Sequence, residues 1–584
     1  MMKTRWNNLL RAGIVFGWLA SWFPEGALAD GPVLKASDVV FMYAADRAVY
    51  QRYGATVLAW GPKPTPQRLA EAPGVLWFGS VGMVTEFSAY HRCYPDRYEE
   101  GLCRDIEGRP VKVPWLTDHQ HEGVPYWWCC TQQPLFRQFL RDRVIETVRA
   151  GAAGVHVDDH LGTAGGLWLG VCFCDRCVEG FQDYVKKLPA EERSRFGLSS
   201  AEDYDFRAAM KNWLAEGGTG RKVTGHPLWA HWSIYQCRAA ASFMLELRQL
   251  AAETAGRPLP IGANAGLLWP RHLSDYRALD LFTAETDHHA AERRPSDLPL
   301  FAYRLAEAMG RPYAATASGG DWAFIKEKNL PGLVRCWIAL SYAAGQRLMA
   351  PHHQWCHTPE KGTHWYDGPT EKFAPLYQFV RRNADWLDGY QTYADLVMVL
   401  PHRSYVENPQ RWFDRANRLA TNHVSYRLLV AGDEIVEHPL TERELQSCRC
   451  LLVPERREFL PEDRDLLERW SGKTRRFSTL DEALAGVVPA VRVSNNQPIR
   501  VLPRTKPDSA VVHCLNYGYL PDRDDVSPLS KVLVRIDREA LGVGRAQRGL
   551  WIAPDTEPLE VSLRDGQAEI PKLGLWGMLV IRAE

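Results

Sequence analysis

The chain has 584 residues, 46% of them hydrophobic, which is enough to bury large cores and to divide into about three or four domains. Lysine plus arginine equals aspartate plus glutamate at 70 each, so no net field favours nucleic acid or an anionic membrane, and the expected partner is small or uncharged. The 22 Trp, 22 Tyr and 20 Phe make 11% of the chain, which serves two readings equally: large cores, or flat faces that stack on a ligand such as a sugar ring.

The first 29 residues read as a secretory signal peptide. Lys3, Arg5 and Arg11 form a basic head, Ala12 to Ala20 a short apolar run, and Ala27-Leu28-Ala29 a small-residue cleavage site before Asp30. No other stretch is long and apolar enough to span a bilayer, so a periplasmic or extracellular protein is expected. An exported protein permits disulfides among the 13 cysteines, but the odd count leaves at least one thiol free or bound to metal.

From Asp30 to about 390 eight short strands alternate with helical patterns or long loops: Val39 to Ala45, Ala55 to Trp60, Val75 to Ser80, Gly154 to Asp158, Pro260 to Asn264, Leu281 to Thr286, Pro312 to Ala317 and Leu348 to His352. This pattern predicts an α/β fold, a (β/α)8 TIM barrel over residues 30–390, with a doubly wound sheet as the alternative. Leu135 to Ala150, Ser233 to Thr254 and Pro375 to Leu387 carry apolar residues at three and four spacing, as outer barrel helices do.

Residues 391–487 read as a flavodoxin-like α/β domain. Ala394 to Leu400 and Cys450 to Pro454 are its strands, and Trp412 to Ala431 and Pro461 to Trp470 its helices. No phosphate-cradling glycine motif accompanies them, and no organic cofactor is expected. From 488 to 584, alternating runs such as Ala510 to Leu515, Lys531 to Ile536 and Leu559 to Leu563 lie between turn residues and predict a C-terminal β-sandwich.

On the fourth strand, alternation turns Val155 and Val157 to the helix shell and His156 and Asp158 inward, with Asp159 and His160 at the strand end, where barrel enzymes place their chemistry. Asp158 and His160 form the leading catalytic pair, since a carboxylate beside an imidazole gives a proton donor or acceptor near neutrality. The plainer reading has Asp159 capping a turn and His160 bonding only to backbone. Glu285, at the end of the sixth strand, lies opposite and supplies a second carboxylate, as glycosidic bond cleavage requires; otherwise it grips substrate hydroxyls. Asp46 could converge on the same mouth. Asn264, Asp287, His288, Ser318, Asp321, Trp322, His352, His353, Gln354 and Trp355 follow other strand ends and are expected to line a carbohydrate pocket. The adjacent pairs His288-His289 and His352-His353 do not chelate one ion together, because neighbours on a strand face opposite ways.

Cys172, Cys174 and Cys177 bring three sulfurs within reach of one tetrahedral zinc. The fourth ligand is sought in Cys129-Cys130, and Cys130 is the first choice. A disulfide with free thiols is the competing reading.

The run Cys130-Thr131-Gln132-Gln133-Pro134, a helix, a strand ending in acids and then Cys-x-Cys-x2-Cys resembles the zinc-bearing barrel of the family 42 β-galactosidases, and the domain order is similar. The resemblance implies a glycoside hydrolase-like protein with structural zinc on Cys130, Cys172, Cys174 and Cys177, and a homo-oligomer formed through the second domain. It departs at the chemistry. Those enzymes carry an acid/base Glu on strand four and a nucleophilic Glu on strand seven, whereas this chain has Asp158-Asp159 on the former and no carboxylate at Thr316 to Gly319. An Asp and His ending strand four is similar to the inverting sialidases of family 156, which would need an arginine such as Arg92, Arg104, Arg207 or Arg347 for the sugar carboxylate. Together these readings predict an exported glycosidase with a carbohydrate substrate. The alternatives are an exo-sialidase, a noncatalytic carbohydrate-binding barrel, and a polysaccharide deacetylase or lyase.

Overall fold

The computed structural model of the chain describes residues 33–198, 204–217, 220–446, 448–454, 459–493 and 497–583; the expected signal peptide lies outside them. Eight parallel strands run in sequential order: β1 (Val40–Phe41), β2 (Val57–Gly61), β3 (Leu76–Gly82), β4 (Gly154–Asp158), β5 (Ile261–Ala263), β6 (Leu281–Thr286), β7 (Tyr313–Ala317) and β8 (Arg347–Leu348). A parallel bridge between Phe41 and Ala350 brings the chain beyond β8 back to β1, which makes the sheet a (β/α)8 barrel. The eighth strand is shorter than the expected 348 to 352. The chain turns out after Ala350 into a hairpin, His353–Thr358 paired with Gly362–Asp367, that overhangs the mouth.

Outer helices include Pro134–Arg149, Trp229–Ala255, Leu298–Ala308, Pro331–Ala343 and Thr370–Arg382. Their apolar faces are buried against the strands, as Phe136, Phe139, Leu140 and Val144 illustrate. After β5 the helix is replaced by two 3-10 turns, Pro270–Leu273 and Tyr276–Ala278.

Inside the barrel the alternation of β4 holds. His156 is fully buried, donates from Nδ1 to Thr283 Oγ1 at 2.9 Å, and stacks on Trp60 with ring centroids 4.6 Å apart. Thr283 must be the acceptor, because its own hydroxyl donates to Ala263 O at 3.1 Å. Trp60, His156 and Thr283 come from β2, β4 and β6, so they form one interior layer of the kind alternate strands build. The next inward residues on β4 and β6 are Asp158 and Glu285, one layer nearer the mouth.

Beyond the barrel, Leu396–Pro401, Tyr426–Ala431, Cys450–Leu452 and Arg475–Phe477 form an all-parallel sheet in the order second, first, third, fourth, a flavodoxin-like arrangement. The expected helix from Trp412 to Ala431 is corrected: the helix covers Pro409–Thr421, His423 takes a positive φ of 58°, and the last six residues are the second strand. The terminal sandwich packs a six-stranded antiparallel sheet on a three-stranded one over Val512, Val534, Ile570 and Ile581. Gln391–Thr392 joins the larger sheet, pairing with Arg504–Thr505. The Asp297–Arg500 ion pair, 2.9 Å, ties this sandwich to the barrel. Among the described residues no helix is long and apolar enough to cross a membrane.

Candidate active site

The carboxylates of β4 and β6 meet at the carboxyl end of the barrel. Asp158 accepts three hydrogen bonds: from Asn264 Nδ2 at 3.1 Å, from Thr85 Oγ1 at 3.3 Å and from the Asp159 N–H at 3.1 Å. Asn264 also accepts the Glu285 N–H at 3.4 Å, so one amide holds both strand tips in place. Burial pushes the Asp158 carboxyl above its ordinary range, and the donors from Asn264 and Thr85 offset only part of that. Burial, and then the charge of Asp158, push Glu285 up to about 8. Asp159, in the left-handed region at φ 50°, is pushed well above the usual carboxylate range by burial and by the charges of Asp158 and Glu285. Three carboxyls that feel one another in this way cannot all ionise near neutrality.

Tyr43, just past β1, belongs to the same group. Burial raises its phenol well above the normal value, and Asp158 and Glu285 add to the shift. Its ring meets Trp60, His353 and Trp365 at 6.2, 6.2 and 5.3 Å. His353 stacks on Trp365 at 4.4 Å and bonds Asp367 through Nδ1 at 2.6 Å, so the hairpin carries an aromatic wall to the mouth. Two further tryptophans on mouth loops stand in solvent, Trp168 after β4 with 61% of its surface exposed and Trp269 after β5 with 67%. Sequence reasoning passed over Tyr43, Trp60, Trp168, Trp269 and Trp365. Tyr43, two residues past β1, and Trp60, near the end of β2, could have been marked by strand-end position; the three on longer loops and the hairpin carry no such signal.

Several expected site residues do something else. His160 is fully buried with Nδ1 at 2.7 Å from Asp275 Oδ2 and Nε2 at 3.4 Å from His272, so its carboxylate partner is Asp275 and not Asp158. Asp46 is exposed and caps the helix Arg47–Tyr53, accepting from the Val49 N–H at 2.8 Å. His288 is buried against Trp337 with Nδ1 at 2.7 Å from Thr286 O. Trp322 is core, its Nε1 donating to Thr316 Oγ1. Ser318 caps the helix Gly319–Lys328, and Asp321 accepts the N–H groups of His288 and Ala290. Gln354 is buried, accepting from Thr316 Oγ1 at 2.6 Å. Trp355 is half-buried and packs over Gly319, where a Cβ would come within 2.6 Å of its ring. Asp287 is exposed and close enough to Glu285 to help raise it; His352 is half-buried with its Nδ1 unpartnered. Of the arginines considered for a sialic acid carboxylate, Arg104 donates to Glu99 O, Arg207 to Phe173 O and Arg347 to Lys35 O.

The cysteine cluster lies beneath the fourth loop. Cys130, Cys172, Cys174 and Cys177 are buried, with their sulfurs within 4.8 Å of one another. Cys130 Sγ lies 3.7 Å from Cys174 Sγ and 3.6 Å from Cys177 Sγ. Those spacings are far longer than a disulfide and match the edge of a tetrahedron, roughly 3.8 Å, around an ion with bonds of about 2.3 Å. All 13 cysteines are unbridged. Thr163 Oγ1 and the N–H groups of Arg104 and Cys174 point at the sulfurs of Cys130 and Cys172, as donors around thiolates do. Cys103 adds a fifth buried thiol, hydrogen-bonded to Cys130 and Cys172, that the spacing argument missed.

No family model matches the chain. It is 23% identical over 607 aligned residues to an α-agarase of Thalassotalea agarivorans, covering 94% of this chain and 40% of that protein. It is 22% identical over 458 residues to an α-agarase of Alteromonas agarilytica, covering 70% and 31%. The chain therefore spans less than half the length of these curated relatives. Among solved structures it is similar to α-L-fucosidase isoenzyme 2 from Paenibacillus thiaminolyticus, with a TM-score of 0.62, 12% identity and coverage of 94% of this chain and 100% of that one. It is also similar to Gan42B, a GH42 β-galactosidase from G. stearothermophilus, with a TM-score of 0.61, 11% identity and coverage of 94% and 98%. The fold of this chain is thus that of the GH42-like barrel with its trailing β domain.

Proposed function

We propose that this chain is a glycoside hydrolase acting on an agar-like polysaccharide at the mouth of its barrel. The observation that carries the reading is the placement of Asp158 and Glu285 on the tips of β4 and β6, which flank β5 and are bridged by its Asn264 and do not stand on opposite sides of the ring as expected, with Glu285 raised to about 8 and Asp158 held by three donors. Two carboxyls whose surroundings set their protonation apart are the equipment of glycosidic cleavage. Glu285 keeps its proton near neutrality and delivers it to the leaving glycosidic oxygen. Asp158, ionised, acts on the opposite side as base or nucleophile. Asp159 remains protonated beside it. His160, sealed against Asp275 and His272, positions the end of β4 and takes no proton from substrate.

The α-agarase relatives supply the polysaccharide class, and the exposed Trp168, Trp269 and Trp365 supply flat faces along which several sugar units can lie. The perturbed carboxyls favour an enzyme over a binding protein, since a site that only binds neutral sugar has no need to hold a proton up to about 8. The four thiols are assigned to structural zinc, which leaves no open position for catalysis. Export through the amino-terminal signal fits a polymer that cannot enter the cell.

The test is release of reducing ends from agarose, with aryl β-galactoside, α-fucoside and α-sialoside as comparisons, by wild type, Asp158→Asn and Glu285→Gln. Hydrolysis of agarose or an agar oligosaccharide that both variants lose supports the reading. Equal activity in the variants overturns the assignment of residues, and cleavage of the sialoside alone overturns the substrate.

A further inference from the structure

His91 and His121 face each other on the third loop of the barrel, and neither belongs to the carboxylate group or the thiol cluster. Their Nδ1 atoms are 2.8 Å apart and their rings are nearly perpendicular, at 89°. His91 sits in the helix Phe87–Cys93, only 5% exposed, clamped between the face of Phe87 and the edge of Tyr98 at 4.6 Å. His121 is half-buried in the short strand Gln120–His121, which pairs with Val124–Pro125 across a tight turn. That turn holds Glu122 at φ 51° and Gly123 at φ 80°, which brings the Glu122 carboxylate to the same point. One donor atom from each of the three residues lies within 4.8 Å of the other two.

We propose that His91, His121 and Glu122 form a binding site for a divalent metal ion of borderline softness, Zn2+ or Ni2+. Two imidazole nitrogens and one carboxylate are the donors such ions prefer, whereas calcium and magnesium call for oxygen alone. An ion with bonds of about 2.0–2.1 Å sets tetrahedral ligands roughly 3.3 Å apart, so opening the two rings by about half an ångström seats it. The remaining positions fall to water, because Glu122 faces solvent. Bound there, the ion pins the Gln120–Pro125 hairpin to the helix. The loop it braces also carries Thr85, six residues before His91, whose hydroxyl bonds Asp158 at 3.3 Å. The site stands on its own geometry and does not depend on the hydrolase reading.

The experiment is calorimetric titration of Zn2+ and Ni2+ into purified full-length protein whose thiol-bound metal has first been quantified by mass spectrometry. We expect one further equivalent bound by wild type, weakened roughly tenfold or more by His121→Ala and less by Glu122→Gln, with thiol-bound metal unchanged in both. His119→Ala, whose ring instead pairs with Asp118 at 2.9 Å, is expected to leave the titration as in wild type. Added Zn2+ should raise the Tm of wild type and not that of His121→Ala. Absence of the further equivalent, or equal binding by His121→Ala, overturns the proposal and leaves a simple imidazole–imidazole hydrogen bond; loss of binding in His119→Ala as well marks a nonspecific histidine surface and overturns it too.

Discussion

Asn264 donates from Nδ2 to Asp158 Oδ1 across 3.1 Å while its own oxygen receives the Glu285 backbone, so the spacing of the two carboxyls hangs on one amide. Removing it with Asn264→Ala withdraws a charged hydrogen bond worth about 1.5–3 kcal/mol. Turnover should fall roughly ten- to a hundredfold. Asp158 is then easier to protonate, so the acid limb of the pH–rate profile should move to higher pH, a displacement that simple misfolding does not produce.

The alkaline limb reports on Glu285. As the proposed acid it works in its protonated form, so kcat/KM should decline as pH rises through about 8. Because Asp158 and Glu285 titrate as a pair, the two limbs belong to the pair. Glu285→Gln should lose about two to four orders of magnitude in kcat, and the alkaline limb with it.

Stability should fall in the same direction, but over a lower range of pH. A carboxyl raised to about 8 in the folded chain, against 4.5 unfolded, sheds its proton more readily on unfolding, so stability falls as pH climbs between those values. Glu285→Gln removes that cost. Its Tm should exceed that of wild type above about pH 8 and match it near pH 4.5, as scanning calorimetry at the two pH values will show.

The aromatic mouth should separate polymer from small substrate. Trp269→Ala or Trp168→Ala strips an exposed face that only an extended saccharide reaches, and KM for polysaccharide should rise roughly tenfold, about 1.4 kcal/mol. With an aryl monosaccharide the change should stay below about twofold. Equal losses on both substrates would place these rings at the reacting sugar.

Cys174→Ser should lower the metal content by one zinc per chain and the Tm by several degrees, while wild type treated with a strong chelator should approach the variant. A metal-free variant with unchanged Tm would remove zinc from any part in folding.

The strand tips were legible because β4 and β6 obey a simple alternation, and side-chain period two converts sequence directly into facing. Asp158 and Glu285 follow from that alone. Partners brought in by long loops do not: nothing near His160 in sequence announces Asp275, 115 residues away. Asp46 was misread for the opposite reason, since a carboxylate one residue before a helix caps it whatever strand precedes it. The apolar spacing that began at Trp412 also continued through Leu419 into Tyr426 and Leu428, where period alone could not tell the helix from the buried strand that follows. The hairpin after β8, which brings Trp365 to Tyr43, has the alternation of any exposed ribbon and gave no sign of where it would fold.

Trp60, stacked on a His156 that Thr283 holds in place, gives the mouth a solid bottom. The well is therefore blind. Under the proposed hydrolysis, sugar, attacking water and both products would all have to pass on the mouth side of that layer, and their traffic would have to be ordered. Water would then be seated before the proposed polymer lies across the opening, or wait until the first fragment departs.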